Sequence, residues 1–300
     1  MTAPTTGDPQ PDCDAPNGRP TSPLVPAADS PLPLPQLCAK VHERIAAFLE
    51  QKDVSPRLKS LQAQTRLSLG VIAEALDRYS RPELSLAYNG GKDCLVLLIL
   101  YLYAFHEKYL AAPASNGTAE GTPTEPIKCV YIQSAHPFPE VEDFVASTSR
   151  TYSLSVVEYA KPMKAAFADY LHDTPSVRAI FVGTRRTDPH GEHLTHFDPT
   201  DHGWPSFMRI HPMIDWHYVD IWTFIRHLNI PYCVLYDQGY TSLGGTTDTL
   251  PNPALARQPS AQKSTNDNLS NGSSNGVSAP KFRPAYELVD DDEERLGRDH

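Results

Sequence analysis

Five consecutive residues, Asn89-Gly90-Gly91-Lys92-Asp93, combine the groups that handling a phosphate calls for. A glycine pair lets backbone N–H groups turn toward an anion, and a helix beginning just behind them adds positive potential. Lys92 can neutralise phosphate charge, and Asp93 can hold a divalent cation near the helix start. The spacing matches neither GxxxxGKS/T nor GxGxxG, so a plain helix-entry turn remains the alternative on residue types alone. A second group follows the apolar run Ile180-Phe181-Val182: Gly183, then Arg185, Arg186 and Asp188 in a loop. Guanidinium matches phosphate bidentately, which makes Arg185 or Arg186 a candidate for a polyphosphate. Asp188 would need a metal or a cationic group between itself and phosphate. A solvated loop whose charges pair with each other is the competing reading.

Two further groups are weaker. Trp204-Pro205-Ser206-Phe207-Met208-Arg209 offers ring stacking and a cation, although such residues more often form core. Arg295 and Arg298 lie three apart and share a face if helical; a terminal charge run is by default a solvated one. His190, His193 and His196 are close in sequence, but none of the twelve histidines has metal-ligand spacing. No GxSxG motif occurs.

The elements that would position these groups alternate. Residues 83–88 read as a strand and 94–109 as a helix apolar on nearly every side, hence buried. Residues 128–133 read as a second strand, 139–151 as a helix, 154–159 as a strand, 162–172 as a helix and 178–183 as a fourth strand. This order predicts an α/β single domain with a mainly parallel twisted sheet flanked by helices. In such sheets ligands sit beyond the carboxyl ends of the strands, where both charged loops emerge. Two helices precede the sheet, 37–51 and 56–79, the second with Ser55 as N-cap and Pro56 at its first position. Residues 217–228 read as a helix, and Cys233 falls in a predicted strand.

Composition bounds the remainder. The chain has 300 residues and 29 prolines, ten of them in the first 36 positions. Residues 1–36 are expected to be a disordered Pro-rich tail, with 37–255 the folded domain, 111–126 and 256–281 polar inserts, and 282–300 a segment docking back. The formal charge of −10 disfavours nucleic acid and acidic membranes as partners. No apolar run reaches the roughly 18 residues of a membrane span. The N-terminal segment lacks secretory or transit character, and five scattered cysteines fit a reducing compartment. Both points give a cytoplasmic expectation, with no obligate protein partner implied.

Taken together, AYNGGKDCLVLLILYL, FVGTRRTDPHG, WPSFMR and the tail FRPAYELVDDDEERLGR resemble the eukaryotic, fungal-type FAD synthases (FMN adenylyltransferases). These belong to a wider superfamily of ATP pyrophosphatases similar to phosphoadenosine-phosphosulfate (PAPS) reductase. RIHPMIDW and IPYCVLYDQGYTSLGG are shared across that superfamily and speak only to the fold. The resemblance implies an adenine nucleotide alpha-hydrolase-like fold and the reaction ATP + FMN → FAD + pyrophosphate with Mg²⁺. It implies that Asn89, Asp93, Asp188, Arg295 and Arg298 are catalytic, and that Asp93 and Asp188 place the metal. Tyr88, Asn89, Gly90, Gly91, Lys92, Ile132, Gly183, Arg185 and Arg186 would bind ATP. Asp188, Trp204, Arg209, Arg295 and Arg298 would face the flavin. The rivals are a sulfonucleotide reductase, which needs a thiol near the C-terminus where this chain has none after Cys233, a catalytically silent nucleotide-binding protein, and a tRNA-modifying relative, which the net charge opposes.

Overall fold

The computed structural model describes residues 22–25, 31–111, 123–257 and 281–298. Most of the first 36 residues and of both polar inserts lie outside the described residues. A six-stranded sheet runs in the order β3-β2-β1-β4-β6-β5. Its strands are β1 (Leu84–Ala87), β2 (Ile127–Ile132), β3 (Leu154–Tyr159), β4 (Ala179–Phe181), β5 (Phe197–Pro199) and β6 (Met208–Ile210). All neighbours pair in parallel except β5 with β6. The chain leaves β1 toward β2 on one side and returns to β4 on the other, so the order reverses between β1 and β4. That is the point at which parallel sheets open a crevice at their carboxyl ends.

The helices are α1 (Leu34–Glu50), α2 (Pro56–Arg78), α3 (Lys92–Tyr109), α4 (Pro139–Thr151), α5 (Met163–Asp173) and α6 (Tyr218–His227). α3 is the spine. Every residue from Leu95 to Leu102 is buried, because α1, α2 and α6 cover it on one side and the sheet on the other. α1 contributes Leu37, Cys38, Val41, Ile45 and Phe48, a helical stripe that faces this core. α2 begins as its cap predicts: Leu58 N–H donates to Ser55 Oγ at 3.4 Å, and Pro56 occupies the first position. A second, smaller core of Val130, Phe167, Tyr170, Val177, Ile180 and Phe207 fills the opposite face of the sheet under α5.

The structure departs from the sequence reading at several places. α1 starts at Leu34, and Leu24 and Val25 are buried, with Leu24 N–H donating to Asn229 O at 3.1 Å. An apolar pair flanked by prolines finds a seat even inside a Pro-rich segment. α3 begins at Lys92, two residues earlier than expected, which moves Lys92 and Asp93 from the loop onto the first helical turn. Cys233 is not in a strand; it precedes a 3₁₀ turn, Val234–Gln238, closed by Gly239 at φ 89°. β5 and β6 were not anticipated. Each has three residues, and β5 ends on Pro199, tolerated because β5 is an edge strand.

Candidate active site

Two glycines bring the charged loops together. Gly90 sits at φ 73°, and a Cβ there would lie 2.9 Å from Val145 Cγ2. Only glycine therefore turns the chain from β1 into α3 against α4. A Cβ on Gly183 would lie 3.1 Å from Cys94 N and 3.2 Å from Asp93 C. The end of β4 thus runs directly against the first turn of α3, which places Arg185 beside Asp93. Asn89 is exposed and closes the turn by accepting Gly91 N–H on its Oδ1 at 3.0 Å. Tyr88 turns its side chain away, donating its hydroxyl to Thr148 Oγ1 on α4 at 2.9 Å.

Behind these loops lies a buried ionic cluster. Lys92 Nζ is 3.0 Å from Asp93 Oδ2 and pairs with Glu294 Oε1. Arg185 is fully buried; its Nε is 2.8 Å from Asp93 Oδ1 and its Nη1 3.5 Å from Asp291 Oδ1. Its Nη2 is 3.4 Å from Asp188 Oδ1 and pairs with Glu294 Oε2. Two cations therefore face four carboxylates. Burial pushes Asp93 up, but Arg185 and then Lys92 outweigh it and hold Asp93 below its ordinary value. Burial pushes Asp188 up as well, and the neighbouring Asp93 adds to this against Arg185, so Asp188 stays raised. Burial pulls Lys92 down, yet Asp93 and Glu294 keep it above its usual value. The sequence reading aimed Lys92, Arg185 and Arg186 at phosphate. The structure gives Lys92 and Arg185 to carboxylates. Arg186 turns to the surface, with its Nε 2.8 Å from Asp215 Oδ1 and its Nη1 donating to Glu192 O and Leu194 O.

Glu294 and Asp291 belong to the C-terminal tail. Asp291 accepts Tyr218 N–H on Oδ1 and faces His217 Nδ1 at 2.6 Å on Oδ2, so it also caps α6. Backbone bonds hold the same stretch of tail alongside these side-chain contacts. Thr241 Oγ1 donates to Glu294 O at 2.6 Å, Asn252 Nδ2 to Glu293 O at 2.7 Å, and Leu250 N–H to Gly297 O at 2.8 Å. Arg295 and Arg298 follow at the rim, both half-buried. Arg298 lies across Gly244, where a Cβ would come within 2.4 Å of its guanidinium, and its Nη2 is 3.4 Å from Asp248 Oδ1. Burial lowers Arg298, and the nearby positive Arg295 lowers it further against Asp248.

The carboxyl end of β2 offers a different surface. Tyr88 N–H donates to Val130 O, the last bond that the β1 side makes to β2, while Gln133 N–H turns to Tyr159 O on the β3 side. Alternation along a parallel strand then aims the N–H and C=O of Ile132 at the gap beyond the end of β1. A planar base with a donor and an acceptor fits that edge. Trp204 and Arg209 lie on the α5 face. Trp204 is 6.4 Å from Phe167 between ring centroids and 38% exposed. Arg209 Nη2 donates to Pro199 O at 3.3 Å while its Nε is buried without a hydrogen-bond partner.

One three-residue group with metal-ligating atoms within 4.8 Å of one another occurs among the described residues: His42, His106 and Glu107. It sits at the last turns of α3, about 20 Å along that helix from Asp93. The His42 and His106 rings stack at 4.3 Å and 28°, so their in-plane lone pairs run side by side instead of converging. Glu294, Asp291 and Tyr236, whose hydroxyl accepts Lys92 N–H at 2.9 Å, were missed by sequence reasoning. The one available signal was that Asp291 and Glu294 repeat the three-residue spacing of Arg295 and Arg298.

A sheet whose order reverses at β1/β4, with an anion-turning helix start at that point, defines an α/β nucleotide-binding domain. The phosphoadenosine phosphosulfate reductase domain family matches residues 83–176 and 158–251. The probable FAD synthase of Schizosaccharomyces pombe is 39% identical over 87% of this chain and 88% of its own length. The flavin adenine dinucleotide synthase of Saccharomyces cerevisiae is 37% identical over 72% of this chain and 74% of its own. The crystal structure of Candida glabrata FMN adenylyltransferase in complex with FAD and inorganic pyrophosphate superimposes with a TM-score of 0.76. It is 31% identical and covers 89% of this chain and 97% of its own. The chain belongs to the FAD synthase family.

Proposed function

We propose that the protein transfers the adenylyl group of ATP to FMN, forming FAD and pyrophosphate. The observation that carries this reading is the meeting of the β1–α3 and β4 loops at the switch point, with two arginines from the tail on the rim above. A phosphate oxygen of FMN attacks the α-phosphorus of ATP in line, and the bond to the pyrophosphate oxygen breaks. The nucleophile is ionised at neutral pH, so the barrier is chiefly repulsion between anions together with positioning. The edge of Ile132 would take adenine, and the triphosphate would take the amides of the β1–α3 turn in exchange for their present acceptors, Asn89 Oδ1 on Gly91 N–H and the Tyr236 hydroxyl on Lys92 N–H. Arg295 and Arg298 would offset the charge on the FMN side.

Mg²⁺ fits this site in one respect. Asp188 Oδ1 has only the 3.4 Å contact with Arg185, and the cluster behind it carries a surplus of negative charge. Asp188 is thus the carboxylate that would hold the ion, with substrate phosphates completing its shell. Asp93, expected to share that role, has one oxygen against Arg185 and the other against Lys92. Bound there, the ion would screen the phosphates. The reductase alternative finds no activated nucleophile among the described residues. Among the described residues Cys38, Cys94, Cys129 and Cys233 are free, and burial raises every one, Cys38 and Cys94 to about 12.

The test is incubation of the purified protein with ATP, FMN and Mg²⁺. FAD and pyrophosphate in equal amounts are expected; pyrophosphate without FAD contradicts the acceptor, and neither product contradicts the reaction. The same chain assayed in a cell fractionation should appear in the cytoplasmic fraction, as we infer from its free cysteines; among the described residues no helix is long and apolar enough to cross a membrane.

A further inference from the structure

We propose that Glu294 is a positioning residue for this reaction: its carboxylate, seated between Lys92 and Arg185, fixes the tail so that Arg295 and Arg298 stand over the crevice. The inference rests on the adenylyl-transfer reading for its kinetic consequence and on the structure alone for the tail contact. Lys92 is 2% exposed, Arg185 0% and Glu294 5%. No phosphate reaches Lys92 or Arg185 while Glu294 is in place. The carboxylate is held on both oxygens, by Lys92 on Oε1 and Arg185 on Oε2, while Thr241 and Asn252 seat the adjoining carbonyls. A bound substrate would therefore meet the cluster from outside, through the loop amides and the rim arginines.

The spacing explains why the link matters. Arg295 is the next residue along, and Arg298 pairs with Thr249 through an antiparallel bridge four residues beyond Glu294. At Gly297 a Cβ would lie 2.3 Å from Leu250 O, so the backbone passes that point with no slack. A shift at Glu294 is then passed to both guanidinium groups. The carboxylate does not touch the reacting atoms. It joins the phosphate loop, through Lys92, to the flavin-side cations, through 202 residues of sequence separation.

The test uses the full chain as wild type, Glu294→Gln and Thr241→Val, the last loosening the same turn from its backbone side. Each is assayed for FAD formation with ATP and FMN varied separately, and for trypsin cleavage after Arg295 and Arg298 without ligands. Glu294→Gln is expected to lower kcat/KM for FMN at least tenfold, to leave KM for ATP within threefold, and to speed cleavage after Arg295. Thr241→Val should move both readouts the same way by less. A folded Glu294→Gln protein with wild-type FMN kinetics and cleavage overturns the proposal, as does an equal loss toward ATP and FMN. If Glu294→Gln does not fold, Thr241→Val decides by the same criteria. If the wild type forms no FAD, the reaction assigned above fails, and cleavage rates alone then decide the tail contact.

Discussion

Two pairs of cations stand at the carboxyl end of the sheet, under opposite conditions. Lys92 and Arg185 are buried and face Asp93, Asp188, Asp291 and Glu294. Arg295 and Arg298 are half-buried at the rim, and the carboxylate near both is Asp248. The inner pair is over-compensated, so its charge is spent on holding loops and tail together. The outer pair keeps a positive surplus, available to the two anionic substrates. Residue type does not separate the two roles; the count of neighbouring carboxylates does.

The sharpest way to break this contrast is at Asp188, the inner carboxylate whose Oδ1 has only a 3.4 Å contact with Arg185. Asp188→Ala is expected to remove turnover, by at least the hundredfold that loss of one well-placed electrostatic group costs, while circular dichroism stays native. Near wild-type kcat in a folded Asp188→Ala protein would sink the role assigned to it. Lys92→Met probes the inner pair as structure. It leaves Glu294 and Asp93 with one buried cation between them, and such losses cost about 3–5 kcal/mol. A urea midpoint unchanged by Lys92→Met would show that the cluster holds nothing.

A smaller effect comes from the α5 face, and it sharpens the contrast by showing a buried base without any carboxylate close enough to charge it. His211 is 2% exposed, and its nearest carboxylate oxygen, on Asp198, is 3.9 Å away. Burial, with Arg209 adding, lowers His211 to about 4. Between pH 6.5 and 4 the unfolded chain takes up a proton that the folded chain refuses. Its contribution to stability is therefore full above 6.5 and falls as pH drops toward 4, by roughly 3 kcal/mol. Urea titrations across that range should show the fall, and His211→Gln should flatten it.

Much of this was legible from residues in order. The alternation of apolar runs predicted β1 to β4 and the helices between them, and Ser55-Pro56 placed the start of α2 correctly. The NGGKD turn and the GTRRTD loop each read as a strand-end loop; that β1 and β4 lie side by side comes only from the structure. What sequence could not reveal was pairing. Lys92 and Arg185 look like phosphate ligands until Glu294 arrives from the far end of the chain. Glu294 itself reads as one more acid in an exposed run. β5 and β6 are too short for periodicity to register, and their pairing depends on β4 already being in place. Trp204 and Arg209, which the resemblance places on the flavin side, sit beside Phe167 and Pro199 on the α5 face.

The claim that the rim arginines, and not the buried cations, meet the substrates is tested most directly by FMN binding to Arg298→Ala. Arg298 has one long ion pair and one long hydrogen bond, to Ser242 Oγ at 3.5 Å, so its loss should cost about 1 kcal/mol of stability or less. Calorimetric titration with FMN in the presence of a non-hydrolysable ATP analogue should show affinity weakened about tenfold, with the urea midpoint unmoved. Wild-type FMN affinity in the folded variant would contradict the account.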